Sequence, residues 1–522
     1  MKYLLCLFTG GLYTLSFSPY NIQALSFVSI ILLFLILDLQ NTKDSIIKSL
    51  LFAIGYFSVG TYWLENVINY YTDINFYIAV LLVFIFTIYL SLFIVIPVLI
   101  SSLFIQHLKF NKNFALILLS ILITCFEIIR SFLFTGYSWF NFGQSAIGTP
   151  LDSFFPIIGV HGNTFIMFII SLILINIVKG INIKFFTSIL IFFVIIYLNI
   201  NNKNWTTISN ENISIAIVQP NINNKLNYST SEIVERMSIL ESMIFKSLLS
   251  SPDIILLPEA PLSIPSNEIL NYYFKISENI PSNTSILTGS FNRHNEKIYN
   301  SIINISDSKF LTSIRNYKKD FDAGLSKEYL ANEQENIIIN SNSYNKKHLV
   351  PFGEYLPLRN ILSVFYKFLS LNTYDLSAGN SNNSIKVNKF IAHALICYES
   401  IFSDNALVKN PNVDFIVNVS NDGWFGNSLA PYQHLDSLVM RSLENQRFSI
   451  RSANTGISAV INPFGEIVDY LVYEEMGVIK SKINSRTGLT PLAKHGYKIL
   501  YLLMFTIFIY SSIYFNIRIF RR

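Results

Sequence analysis

Three residues of this chain stand beside strand-like runs and carry side chains that together suit nucleophilic acyl chemistry. Cys397 follows the apolar run Phe390–Ile396, Glu259 follows Asp253–Leu257 and Pro258, and Lys346 precedes the segment His348–Glu354. A thiol attacks only as its thiolate, so it needs a base. The tetrahedral oxyanion that forms on an acyl carbon needs a cation or a donor. Glu259, Lys346 and Cys397 supply these roles as one set. Taken singly, each has an ordinary explanation. A Cys after an apolar strand is most often a small core residue, and a Glu at a strand end is usually a cap or an ion-pair partner. Lys346 competes with Lys318, Lys319 and Lys347, which nothing local ranks. A helix opening at Tyr398–Phe402 would favour the thiolate through its N-terminal dipole.

The elements that must hold these groups read as a layered α/β domain. Ile213–Gln219 is a compact apolar run, Ser231–Leu249 has helical periodicity, and Asp253–Leu257 is a second buried strand. Further strands are expected at Ser285–Phe291, Ser301–Ser306, Phe390–Ile396, Phe415–Ser420, Ile457–Asn462 and Gly477–Ser481. Strands alternating with helices give layers, and reactive groups in such layers tend to sit just past strand ends.

Around this polar middle the chain is too apolar for a wholly soluble protein: 51% of its 522 residues are hydrophobic and the mean hydropathy is +0.43. Eight spans are expected, at about 3–18, 22–39, 47–65, 76–106, 113–133, 157–178, 184–200 and 497–517. The first reads as an uncleaved helix, since Leu15–Pro19 offers no small-x-small cleavage site. The expected organisation is a polytopic α-helical membrane domain at 1–200 with seven spans, a catalytic domain at 201–486, and a last span with its tail at 487–522. Lys2, Lys43, Lys48, Lys109, Lys112, Lys179, Lys184, Arg518, Arg521 and Arg522 fall on alternate loops or ends, which places both termini in the cytoplasm and the polar domain outside. Glu127 and Arg130, one helical turn apart, read as an ion pair. The stretch Thr135–Gly143 reads as an interfacial belt or a lipid entrance. The aromatic cluster Val364–Leu371 reads as a core helix or a mobile lid. The net charge of +5 is spread over loops and gives no nucleic-acid surface, and three Cys with unspaced His predict neither a disulfide framework nor a metal site.

Pro258–Ala260, Tyr344–Glu354, Ile396–Glu399 and Asn421–Gly426 resemble the motifs of the nitrilase superfamily. With Phe17–Tyr20, Gly136–Gly143 and the flanking spans, nearly the whole chain looks like its membrane-embedded branch, the apolipoprotein N-acyltransferases. The resemblance implies an αββα sandwich with Glu259 as proton acceptor, Lys346 as oxyanion partner and Cys397 as nucleophile. Glu354, Tyr398 and Glu399 would support them, with Arg441, Glu444 and Arg447 as further candidates. It implies acyl transfer from a phospholipid, typically phosphatidylethanolamine, through a Cys thioester to the N-terminal amine of a diacylated apolipoprotein. It also implies a bacterial inner membrane, with the catalytic domain on the periplasmic side, and no cofactor. The chain departs from the pattern at Lys225–Tyr228, where relatives often carry Trp, so Tyr228 is expected to take that ring's place. A membrane-tethered amidase using water as acceptor is the competing reading.

Overall fold

The computed structural model describes residues 2–519 except 73, 109, 224–228, 295, 324–325, 327–329, 331–332, 335, 338–341 and 369–374. Tyr228 therefore lies outside the described residues, as do residues 369–371 of the aromatic cluster; its residues 364–368 are described as helix only. The chain forms two compact units, 1–69 with 74–205 and 490–522, and 70–73 with 206–489.

The first unit is helical: α1 (Lys2–Tyr13), α2 (Ala24–Ile36), α3 (Thr42–Thr61), α4 (Leu64–Tyr71), α5 (Phe76–Leu108), α6 (Lys112–Arg130), α7 (Phe155–Val178) and α8 (Ile183–Ile200). Apolar side chains line these segments on most sides, as lipid demands of a chain that must satisfy its own backbone. Each of the eight expected spans contains a helix, but length separates them. Among the described residues, five helices, Lys498–Phe515 one of them, are long and apolar enough to cross, and α3 with α4, bent by 54°, would make a sixth. The helices α1 and α2 have 12 and 13 residues, short of the roughly 20 that cross a bilayer alone. What holds α1 is close backbone packing on α3. A Cβ on Gly10 would stand 1.9 Å from the Phe52 carbonyl oxygen, and one on Gly55 2.0 Å from that of Leu7.

Two expectations about this unit are corrected. Glu127 and Arg130 turn to a common loop instead of to each other: Glu127 Oε1 accepts from the Phe142 N–H at 2.7 Å and Oε2 from Thr164 Oγ1 at 2.6 Å, while Arg130 Nη2 donates to the Phe140 carbonyl and Asn141 Oδ1, both at 2.8 Å. The loop they grip is buried from Gly136 to Ala146, so it is packed core and not an exposed interfacial belt. Its aromatic rings stack inward; Phe142 lies parallel to Tyr56 with centroids 4.8 Å apart.

The second unit is built on two six-stranded sheets. One has the order β12-β1-β2-β3-β4-β5 and the other β11-β10-β9-β8-β7-β6. The strands are β1 (Thr207–Gln219), β2 (Ile254–Leu256), β3 (Ser285–His294), β4 (Lys297–Asn304), β5 (Ser343–Asn345), β6 (Ser384–Val387), β7 (Phe390–Ile396), β8 (Phe415–Ser420), β9 (Ser449–Ala453), β10 (Ser458–Ile461), β11 (Ile467–Leu471) and β12 (Gly477–Thr487). In each sheet three neighbours run parallel, β1-β2-β3 and β7-β8-β9. Ile215, Ile217, Leu256 and Leu287 of the first sheet share one core with Ala394, Ile396, Val417 and Val419 of the second. The alternate side chains of the first sheet, Ala216, Val218, Ile255 and Ile286, pack instead with Leu240 of α9 (Thr230–Leu248), Phe274 of α10 (Leu270–Glu278) and Ile314 of α11 (Ser308–Asp322). This period-two division of one strand between two cores is what makes the layers. Beyond α12 (Arg359–Phe368) and the short α13 (Ser403–Ala406), α14 (Ala430–Asn445) packs on β9, completing an αββα sandwich. The chain closes with α15 (Pro491–His495) and α16 (Lys498–Ile519) in the first unit.

Candidate active site

The parallel strands β2 and β7 deliver their C-terminal ends to the site. After β2 the chain runs through Pro258 and Glu259 into Ala260, whose φ is +39°, and after β7 it turns at Cys397, whose φ is +48°. Both are left-handed conformations that a non-glycine residue adopts at a cost of roughly 1–3 kcal/mol. Strain of this size persists where neighbours hold it. Gly289 of β3 lies so close that a Cβ there would be 2.5 Å from the Glu259 Cα.

Glu259, Lys346 and Cys397 are 3%, 1% and 2% exposed, so neither Glu259 nor Lys346 is the solvated cap or loop residue that its type suggests. Lys346 Nζ lies 2.8 Å from Glu354 Oε1 and 3.6 Å from Glu259 Oε1. Asn300 of β4 ties the two carboxylates together, its Nδ2 donating to Glu259 Oε1 at 2.7 Å and to Glu354 Oε1 at 3.0 Å. Its carbonyl takes the Lys346 backbone N–H at 2.8 Å. Glu259 Oε2 has no hydrogen-bond partner among the described residues, which leaves one carboxylate oxygen free to take a proton.

Burial raises the Glu259 pKa above the usual glutamate value; Glu354 adds to the rise, while Lys346, Asn300 and the nearby thiol oppose it. Burial also drives the Cys397 thiol far up and the Glu259 charge adds, against the pull of Lys346. Burial works to lower Lys346, but Glu354 and Glu259 outweigh it and keep the ammonium charged. The resting site therefore holds a neutral thiol beside an ammonium, with the proton affinity of the Glu259 carboxyl raised. The helix expected after Cys397 is a single 3-10 turn, Cys397–Ile401, too short for a macrodipole to override this.

Glu399 clamps the cysteine turn to the lysine loop. Its Oε2 accepts from the Ile396 N–H at 2.8 Å, and its Oε1 from Tyr344 OH at 2.7 Å and the Lys347 and His348 N–H groups at 2.9 and 3.2 Å. Tyr398 packs its ring on Phe402 and beside His348. Glu354 also accepts from the Val350 N–H at 2.7 Å, which folds its own loop around Lys346. The structure thus gathers Glu259, Lys346, Cys397, Glu354 and Glu399. The competing lysines lie elsewhere: Lys347 Nζ donates to Asn383, Lys318 covers the Phe274 ring and Lys319 is exposed. The three further candidates on and after α14 are structural ties. Arg441 pairs with Glu444 at 3.0 Å, Glu444 accepts from Ser403, and Arg447 donates to the Val413 and Gly488 carbonyls.

Sequence reasoning missed Asn300, whose strand position carries no local signal. It also missed that Cys397, Asp422 and His434 bring possible metal-ligand atoms within 4.8 Å of one another. These groups are already engaged: Arg451 Nη2 lies 2.7 Å from Asp422 Oδ2 and supplies the positive charge there.

Fold and site together define a carbon-nitrogen hydrolase domain borne by a helical membrane protein. The family model described as carbon-nitrogen hydrolase matches residues 214–491, and that described as the apolipoprotein N-acyltransferase N-terminal domain matches residues 9–173. An apolipoprotein N-acyltransferase of Wigglesworthia glossinidia brevipalpis is 32% identical over 95% of this chain and 94% of its own length, and one of Coxiella burnetii is 29% identical over 95% and 97%. Among solved structures, a CN-hydrolase superfamily protein from Xanthomonas campestris aligns with 52% of this chain and 91% of its own at 15% identity, with a TM-score of 0.35, too low to carry weight. The chain belongs to the apolipoprotein N-acyltransferase family.

Proposed function

We propose that the enzyme moves an acyl chain from a membrane phospholipid, phosphatidylethanolamine for preference, to the N-terminal amine of a lipoprotein's S-diacylglyceryl cysteine. The observation that carries this reading is the joint burial of Glu259, Lys346 and Cys397 at one set of strand ends in a chain of this family. In the first half-reaction Glu259 takes the thiol proton as sulfur attacks the ester carbonyl. Because burial disfavours a standing thiolate, proton transfer and attack are coupled. Lys346, held charged by Glu354, faces the oxyanion. Collapse breaks the ester bond, Glu259 returns its proton to the departing lysophospholipid oxygen, and Cys397 is left as a thioester. In the second half-reaction the amine attacks that thioester and gives its proton to Glu259. The amide forms, and the sulfur leaves and recovers the proton. One pocket serves donor and acceptor in turn, so the two lipids need never be held together.

On this reading residues 1–200 and 487–522 anchor the enzyme in the bacterial inner membrane, and residues 201–486 work on the periplasmic side with both termini cytoplasmic; the alternating basic loops support this. Incubation with labelled phospholipid and a diacylated lipopeptide tests the function. N-acylated peptide is expected; free fatty acid alone would make the enzyme a hydrolase. With phospholipid and no acceptor, the protein should gain one acyl mass that neutral hydroxylamine removes. Cys397→Ala should lose both adduct and turnover, whereas Cys6→Ala and Cys125→Ala should keep them.

A further inference from the structure

A second polar cluster lies behind the nucleophile, and the acyl-transfer scheme makes no use of it. The left-handed Cys397 must have its carbonyl held if the turn is to persist. Two donors hold it: Ser400 Oγ at 3.0 Å and His434 Nε2 at 3.0 Å. A carbonyl oxygen only accepts, so Nε2 carries the proton. The other ring nitrogen, Nδ1, stands 3.1 Å from Arg451 Nη2 and 3.0 Å from Asp422 Oδ1. Arginine only donates. Burial lowers the His434 pKa and the Arg451 charge lowers it further, against Asp422. The geometry therefore fixes a proton on Nε2, while Nδ1 sits between the Arg451 guanidinium and the Asp422 carboxylate.

Arg451 extends the brace to the other side of the turn. Its Nη1 donates to Asn418 Oδ1 at 2.5 Å, and Asn418 Nδ2 donates to the Leu395 carbonyl at 3.3 Å. The same guanidinium thus reaches the strand before the nucleophile through Asn418 and the nucleophile's own carbonyl through His434. Asp422, accepting from Arg451 at 2.7 Å and from Ser420 Oγ at 2.7 Å, balances its charge. Space for that carboxylate is kept by Gly456, where a Cβ would stand 2.2 Å from Asp422 Oδ2. His434, Asp422 and Arg451 are all fully buried.

We propose that His434, its ring held at Nδ1 by Arg451 and Asp422 so that Nε2–H meets the Cys397 carbonyl, is a positioning residue that holds the Cys397 turn in the conformation from which sulfur attacks. The proposal rests on Cys397 being the nucleophile. It predicts an effect on the rate of thioester loading and not on phospholipid binding.

The test is single-turnover loading of the full-length enzyme with phospholipid alone, read by intact mass. Met at position 434 keeps the bulk and loses the donor; Gln keeps a donor of similar reach. His434→Met should load about 100-fold more slowly, the scale of a misplaced reacting group, with the phospholipid KM within about twofold and the melting temperature near that of the wild type. His434→Gln should recover most of the lost rate. A Met variant that loads like the wild type, or a folded Gln variant as slow as Met, overturns the proposal. If the Met variant does not fold, the ring nitrogens of 15N-histidine-labelled wild type decide: a protonated Nε2 supports it, and a bare Nε2 overturns it. Cys397→Ala separates the two levels, because an adduct persisting there would sink the thioester reading itself, whatever His434 does.

Discussion

At the scale of single residues, the charge balance around Glu259 sets when the site can work. Loading needs its carboxylate ionised, and its pKa is raised by burial and then by Glu354. Activity should therefore be present above that raised value and be lost as pH falls through it, with the acid limb lying above the roughly 4.3 of a free glutamate. Since Glu259 and Cys397 interact, the limb belongs to the pair. Glu354→Gln removes a charge that pushes Glu259 up and leaves Lys346 to Glu259 alone. Its pH profile of loading should shift to lower pH while the maximum rate falls; a shift to higher pH would contradict this electrostatic account. These roles were only partly legible in the sequence. Cys397 and Glu259 can be found from strand ends, but Lys346 is indistinguishable from its neighbours until the motif around it is considered. Asn300 and Arg451 give no sign at all. They act across 41 and 29 residues of chain, on Glu259 and Asp422 respectively, and local pattern holds no information about such meetings. The pair Glu127 and Arg130 misleads for the converse reason: helical spacing brings two charges near each other, yet backbone groups of a buried loop offered them better partners.

At the scale of elements, the close approach of β3 to the end of β2 positions the base. Gly289→Ala would put a methyl group against the Glu259 Cα, the Ala260 nitrogen and the Pro258 oxygen, at 2.5, 2.7 and 2.7 Å. Backbone cannot rotate away as a side chain can. The variant should lose about 1–3 kcal/mol of stability, seen as a lower melting temperature in detergent, and should load more slowly even well below that temperature. An unchanged melting point and rate would show that the strands have slack. Most strands were legible because they are continuous apolar runs; β7 has the expected bounds, Phe390–Ile396. The four missed, β5, β6, β9 and β11, fail that test in different ways; β6 is a four-residue edge strand. β9 reads Ser-Ile-Arg-Ser-Ala, polar to the eye because Arg451 belongs to a buried network. β11 is an edge strand with its side chains largely outward, and β5 is three residues long. Hydropathy likewise overstated α1 and α2, since it measures apolar content and not where the chain turns.

At the scale of the whole molecule, the distribution of basic loops leads to a prediction of sidedness. A reporter that is active only outside the cytoplasm should be active when fused after Asn202 and silent after Arg522, and the opposite pair of results would reverse the proposed orientation. The second unit also begins and ends on neighbouring strands. Thr207 of β1 pairs with Thr487 of β12, their hydroxyls 2.9 Å apart although 280 residues separate them. The first strand of the unit to be synthesised is thus completed by the last. At bacterial elongation rates the gap lasts about 15–55 seconds. Throughout it one edge of β1 is an open ladder, able to recruit any passing strand. Until residue 487 has emerged, the sheet that carries Glu259 cannot close, which makes the interval of synthesis the enzyme's period of greatest exposure to misassembly.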